Sequence, residues 1–302
     1  MLFKKPRIGI ALAGGGAKGL AHIGFLETLK ENGIPIDIIS GTSIGAVIGA
    51  AYALEPDIEK LKETLRILIE SDVFRDLKLD KFKSVEEDHW FDRIRNKLKM
   101  SLTFAEAATR PSLVPEIQVV KLFNELFGEK TFKDTKLPFA AVALDLVSGE
   151  DVLFREGLIR DAVRASTAIP GIFPTVSIDG KLLVDGGVTA NAPITAARKL
   201  GADVIISAIF GYEPSPPGKL ESSMSVILRG DELAKLKLFR MLIEKADYVV
   251  EIDTGNTHWT DFGMYEECIE KGKEAAITHL DKLKRISSGG SFRRWFVSRK
   301  AT

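Results

Sequence analysis

Cysteine is almost missing from this chain, with Cys268 the only one in 302 residues. No intrachain disulfide or thiolate metal set can form, and this usage suits a reducing compartment. Histidine is scarce as well, so a catalytic imidazole has only four candidates, His22, His89, His258 and His279. Net charge is absent, because 42 Lys and Arg balance 42 Asp and Glu, and the body of the chain has no basic face or motif for nucleic acid. No apolar run approaches the roughly 18 residues of a membrane span. The apolar stretch Ile8 to Ala13 is short and leads into glycines rather than a cleavage site. A cytoplasmic protein is the expectation. Side-chain amides are few, with Gln118 the sole glutamine beside abundant Lys and Glu, a bias found in thermophile proteins.

What is present suffices for one full core, since 45% of residues are hydrophobic and 28% charged, with no Pro/Gly/Ser-rich linker to divide the chain. Apolar strand-like runs alternate with helical patterns: Ile8 to Ala13, Ile36 to Ile39, Pro138 to Leu146, Asp151 to Phe154, Asp203 to Phe210 and Tyr248 to Ile252. This predicts an α/β fold with a mostly parallel central sheet between helices and hairpin strands attached. Asp179-Gly180 reads as a hairpin turn between Thr175–Ile178 and Lys181–Val184. Residues 56–134 break the alternation with helical patterns only, at Asp57 to Glu70, after the capping box Ser84-Val85-Glu86-Glu87, and at Pro115 to Phe127. Two readings stand for them: helices that cover one sheet face, or an apolar cap that admits acyl chains.

Three motifs carry chemistry. Gly41-Thr42-Ser43-Ile44-Gly45 lies between an apolar run and an alanine-rich helical run, the place where a strand-to-helix elbow exposes a nucleophile. Its flanking glycines leave room for a turn that a Cβ would block. Upstream, Gly14-Gly15-Gly16-Ala17-Lys18-Gly19 follows the first strand and opens a helix marked by Leu20, Ile23, Leu26 and Leu29. Amides at such a helix start have no intrahelical acceptor and attract negative charge. An oxyanion hole and a dinucleotide cradle both fit the letters. The dinucleotide reading needs an acid at the end of the second strand, whereas Asp37 stands at its start. A P-loop is excluded, because Leu20 follows Gly19 where Lys is required. Downstream, Leu182-Leu183-Val184-Asp185-Gly186-Gly187 ends an apolar strand on an aspartate that can face the elbow.

In these motifs, and in the small-residue segment Ala165 to Pro174, the chain resembles the patatin-like phospholipase family. The resemblance covers most of the chain. It implies a serine acyl hydrolase with a Ser43–Asp185 dyad, an oxyanion site at Gly14, Gly15, Gly16, Ala17, Lys18 and Ile44, and structural motif glycines at Gly19, Gly41, Gly45, Gly186 and Gly187. It implies neither metal nor cofactor. The expected substrate is a lipid or phospholipid ester. The rival is an acyl-lipid or nucleotide-binding module without turnover. A dyad needs no histidine, and His22 reads as a helix-packing residue, His89 and His279 as surface residues. His258 follows Asp185 in the order of a Ser, Asp, His triad and is the one rival base.

The domain is expected over residues 5–285, including the cap 56–134. A tail, 286–302, carries basic residues interleaved with Phe292, Trp295 and Phe296. It reads either as a frayed soluble end or as a peripheral contact with an anionic membrane.

Overall fold

A computed structural model describes residues 5–82, 112–211, 220 and 223–288. The capping box at Ser84, His89 and the aromatic tail residues lie outside the described residues. The core is an eight-stranded sheet. Its strands are β1 (Ile8–Leu12), β2 (Ile38–Thr42), β3 (Phe139–Asp145), β4 (Asp151–Phe154), β5 (Val176–Ile178), β6 (Lys181–Asp185), β7 (Val204–Phe210) and β8 (Tyr248–Ile252). The spatial order is β5-β6-β3-β2-β1-β7-β8, with β4 paired to β3. Neighbours from β3 through β8 are parallel, while β4, β5 and β6 are joined by antiparallel ladders. The mostly parallel sheet expected from the sequence is therefore found. Strands β1, β2 and β3 are buried at every position, as uninterrupted apolar runs require when both faces are covered.

Helices follow where the apolar spacing changes to the helical period. They are α1 (Ala21–Glu31), α2 (Ile44–Leu54), α3 (Ile58–Glu70), α4 (Asp72–Arg75), α5 (Glu116–Phe127), α6 (Ile159–Ser166), α7 (Ile194–Lys199), α8 (Ser223–Ile243), α9 (Tyr265–Thr278) and α10 (Leu280–Ser287). Asp57 caps α3 by accepting the Glu59 and Lys60 amides. Ile58, Leu61 and Leu65 then face the core. At the predicted hairpin turn Asp179 and Gly180 both have positive φ, 49° and 75°, as a two-residue Asp-Gly turn demands. Helix α10 carries Ile286 into the main core cluster. Among the described residues no helix is long and apolar enough to cross a membrane.

The register of β3 decides what meets at the carboxyl end of the sheet. Thr42, the last residue of β2, pairs with Val142, and Asp185, the last of β6, pairs with Ala143. Two strands that run in opposite directions thus end on adjacent positions of a third. Thr42 Oγ1 donates to the Ala190 carbonyl and Ser40 Oγ to that of Pro193, so β2 is also tied to the segment that follows Asp185.

Candidate active site

Ser43 sits between β2 and α2 with φ 55° and ψ −127°, a region that a non-glycine residue occupies only when its surroundings enforce it. Close packing enforces it here. A Cβ on Gly41 would lie 2.3 Å from the Gly45 carbonyl oxygen, and one on Gly45 would lie 2.2 Å from that of Leu12. Only glycine lets strand and helix approach this closely. The Ser43 amide donates to Ser166 Oγ at 3.0 Å, and that hydroxyl in turn donates to the Val142 carbonyl at 2.6 Å. Ser166, at the end of α6, is a supporting residue whose role no local pattern announces.

The Ser43 side chain lies close enough to the Asp185 carboxylate, which is 5% exposed, to lower its pKa. Asp185 Oδ1 also accepts the Gly187 amide at 2.6 Å. Burial pushes the Asp185 carboxyl up from 3.8 to about 6, against the downward pull of Ser43 and the Gly187 amide. The result is a carboxylate that is ionised at neutral pH yet a stronger base than an ordinary aspartate. A Cβ on Gly186 would meet the Val142 carbonyl at 2.4 Å, so the strand exit beyond Asp185 is as tight as the elbow it faces.

The glycine loop forms a short 3₁₀ turn, Gly16–Leu20, ahead of α1. Gly16 has φ 58°, and a Cβ there would lie 2.3 Å from the Trp259 carbonyl oxygen. Two of the expected oxyanion amides are engaged by the fold itself. The Gly14 amide donates to the Asn191 carbonyl at 3.2 Å and the Ala17 amide to that of Trp259 at 2.7 Å. An amide has one hydrogen to give, so Gly14 and Ala17 shape the loop, and of the expected set Gly15, Gly16, Lys18 and Ile44 remain as candidates. Gly19 packs against Ile44, where a Cβ would come within 2.1 Å of its side chain. Burial raises the Cys268 thiol, against a hydrogen bond with Thr257 and the Lys18 charge. Asn191 was not singled out by its residue type. Its amide oxygen lies 2.5 Å from where a Gly14 Cβ would be, a point 3.1 Å from Ser43 Cβ.

Beside Ser43 opens a cavity of about 100 Å³. Its walls include Leu65, Leu68 and Ile69 of α3, Phe74, Leu77 and Leu79 after it, Val119, Leu122, Phe123 and Leu126 of α5, and Ile169, Phe173, Trp259 and Phe262, together with Gly16, Ser43 and Ile44. Phe74 packs edge-on against Phe262, and Phe82 lies beside Trp259. The described part of 56–134 therefore supplies much of an apolar wall over Ser43.

The three described histidines have other hydrogen-bond partners. His22 Nε2 lies 2.8 Å from the Ala13 carbonyl. His258 Nδ1 meets Thr260 Oγ1 at 2.7 Å. His279, expected at the surface, is half-buried at the α9–α10 junction, where Nδ1 meets the Tyr248 hydroxyl at 2.7 Å. Asp37, the only acid considered for a ribose, accepts the Ile8 amide at 2.7 Å at the far end of β2. Among the described residues no group of three or more His, Cys, Asp or Glu side chains is placed to hold a metal ion.

A family model described as "Patatin-like phospholipase" matches residues 10–198, which include the glycine loop, the elbow and Asp185. The chain belongs to the patatin-like phospholipase family. Relatives include an uncharacterized NTE family protein of Mycobacterium bovis, 30% identical over 221 residues, 73% of this chain and 54% of that protein. The human patatin-like phospholipase domain-containing protein 6 is 31% identical over 208 residues, 68% of this chain and 13% of that protein. Lysophospholipase NTE1 of Pyricularia oryzae is 24% identical across 92% of this chain and 18% of its own length. The chain thus spans about half of the first relative and a small part of the others. Among solved structures, VipD of Legionella pneumophila shares the fold with a TM-score of 0.51 at 16% identity, covering 92% of this chain and 67% of that one.

Proposed function

We propose that this patatin-like protein is a serine acyl hydrolase that cleaves lipid carboxyl esters in the manner of a phospholipase A or lysophospholipase. The observation that carries the reading is Ser43, at the carboxyl end of β2 in an apolar cavity, with the buried Asp185 carboxylate brought beside it by the β3 register. Relatives described as phospholipase and lysophospholipase support the choice of a lipid ester. Ser43 Oγ attacks the ester carbonyl carbon while its proton passes to Asp185. The Gly15, Gly16 and Ile44 amides receive the charge that develops on the carbonyl oxygen. The ester C–O bond then breaks, and Asp185 returns the proton to the leaving alcohol. Water, deprotonated by Asp185, attacks the acyl-Ser43 ester and releases the acid, and the proton goes back to Ser43 Oγ. The cavity holds the acyl chain, so residues 56–134 act as a cap within a domain of residues 5–285. No metal or cofactor enters these steps.

Against a module that binds nucleotides stand the apolar lining of the cavity and the engagement of Asp37 with Ile8. A binding module for acyl lipids needs no proton acceptor on Ser43. Turnover of p-nitrophenyl esters and labelling by a fluorophosphonate probe test the reading. Ser43→Ala is expected to abolish both, and Asp185→Asn to lower kcat by about 10³-fold or more. His258→Ala is expected to retain substantial turnover. A folded Ser43→Ala protein with wild-type turnover sinks the proposal, and a folded His258→Ala protein as inactive as Ser43→Ala replaces the dyad with a triad.

A further inference from the structure

His22 is completely buried in α1, with its ring turned back toward the glycine loop. Nε2 lies 2.8 Å from the Ala13 carbonyl oxygen. A carbonyl only accepts, so Nε2 carries the proton and Nδ1 is the bare nitrogen. Nδ1 is also buried and has no hydrogen-bond partner. Leaving a buried polar atom unsatisfied is costly, so a site that needed only packing would be better filled by an apolar side chain. The Nε2 bond is the compensating contact, and what it holds is informative.

The Ala13 carbonyl and the Gly14 amide belong to one peptide unit. His22 holds its oxygen, and the Asn191 carbonyl holds its N–H at 3.2 Å. A planar unit fixed at both ends cannot rotate. The peptides that follow begin from its orientation, and they carry the Gly15 and Gly16 amides. A second contact acts in the same place. The His22 ring lies 4.8 Å from the Phe210 ring, centre to centre, and Phe210 is what a Cβ on Gly15 would strike, at 2.6 Å. One imidazole thus supports the loop through a hydrogen bond just before Gly14 and through an aromatic ring directly under Gly15.

We propose that His22 is a positioning residue for the oxyanion site, holding the Ala13–Gly14 peptide so that the Gly15 and Gly16 amides point at the reacting carbonyl. The inference rests on the acyl-hydrolase reading above. Burial keeps the ring neutral, lowering it from 6.5 to about 4 against the opposing effect of the Ala13 bond. An imidazole in that state serves as a fixed donor and takes no part in proton transfer.

Two replacements separate the hydrogen bond from the packing. His22→Leu fills the space without a donor, whereas His22→Gln offers an amide N–H near the position of Nε2. With folding matched by circular dichroism and melting, His22→Leu is expected to lower kcat and the rate of fluorophosphonate labelling about 10- to 100-fold, less than the 10²–10³ lost with a deleted oxyanion donor. KM on a short p-nitrophenyl ester should change less than about threefold, because the acyl cavity is untouched. His22→Gln should recover to within about fivefold of wild type. A folded His22→Leu protein with wild-type kcat overturns the proposal, as does His22→Gln remaining as slow as His22→Leu. Should neither variant fold, ¹⁵N spectra of histidine-labelled wild-type protein decide: a neutral Nε2–H tautomer is required, and an Nδ1–H tautomer or an imidazolium at pH 7 overturns the role. An inactive wild-type protein defeats the acyl-hydrolase reading instead, so the two failures are distinct.

Discussion

At the residue scale, Asp185 couples chemistry to pH in two measurable ways. As proton acceptor it must be ionised, so kcat/KM should rise with pH through a limb near 6 and level off above it. A limb near 4, or one unchanged in Asp185→Asn, counts against its role. Stability runs the other way. The folded value is raised above the unfolded one, so the carboxyl favours the fold fully below about pH 4, and this contribution is lost as pH rises through about 6. At pH 8 an ionised, buried carboxylate is therefore a cost of the active site, on the order of 3 kcal/mol at about 1.4 kcal/mol per pH unit. Asp185→Asn should melt at a higher temperature than wild type at pH 8, and the gap should close toward pH 4. Equal differences at both values would show that the burial of charge is not the cause.

At the element scale, three helices are pinned by one carboxylate. Glu27 of α1 lies 2.6 Å from Lys62 Nζ of α3 and 3.1 Å from Lys273 Nζ of α9. Burial works to raise the Glu27 carboxyl, but the hydrogen bonds and charges of Lys62 and Lys273 outweigh it and hold the group below its usual value. The Glu27 side chain is 10% exposed while those of the lysines are 23% and 29% exposed, so the contact is weaker than a fully buried pair. Glu27→Gln leaves Lys273 without this partner and Lys62 with only Glu59, and should cost about 1–2 kcal/mol, below the 3–5 of a deeply buried break. A depressed carboxyl stabilises the fold above its unfolded pKa, so the difference between wild type and Glu27→Gln in urea should shrink as pH falls below the ordinary value of 4.5. Helix α3 also forms a wall of the acyl cavity, and loosening its contact with α1 should raise KM for long-chain esters more than for short ones.

At the scale of the whole molecule, the cavity exists only because α2, α3, α5 and the Trp259 loop converge on Ser43. Each methylene buried there contributes about 0.8 kcal/mol, so the space available sets chain-length preference. Leu126 is half-buried and lines the cavity. Leu126→Trp should lower kcat/KM for decanoate relative to butyrate p-nitrophenyl esters at least tenfold, with butyrate turnover nearly unchanged. An unaltered ratio would place the acyl chain elsewhere. For delivery of substrate we propose that the basic, aromatic tail of residues 286–302 contacts anionic bilayers. Each basic residue contributes about 1 kcal/mol at most, and salt weakens the attraction. Truncation before Phe292 should reduce co-sedimentation with phosphatidylserine vesicles, more at low salt than at high. Equal binding by both forms would leave the apolar cap as the membrane contact.

Short-range chemistry made much of this protein readable in its sequence. The apolar run Ile8–Leu12, the elbow Gly41 to Gly45, the Asp179-Gly180 turn and the Ile58, Leu61, Leu65 spacing all follow from backbone sterics and periodicity, which act within a few residues. Helices α6 and α8 carry no comparably clear local pattern, and the partners of His22, His258 and His279 are not visible in the residues beside them. What only the tertiary structure decided is which distant groups meet. Thr42 opposite Val142 and Asp185 opposite Ala143 bring the two ends together, and that register depends on a strand lying far from both in the chain. The same holds for Gly14 and Ala17, whose amides the sequence offered to a ligand and the fold assigned to Asn191 and Trp259. It holds for His22 too, which a helical pattern can only place among packing residues. A hydrogen bond has direction and a single acceptor, and neither is encoded in the residues beside its donor.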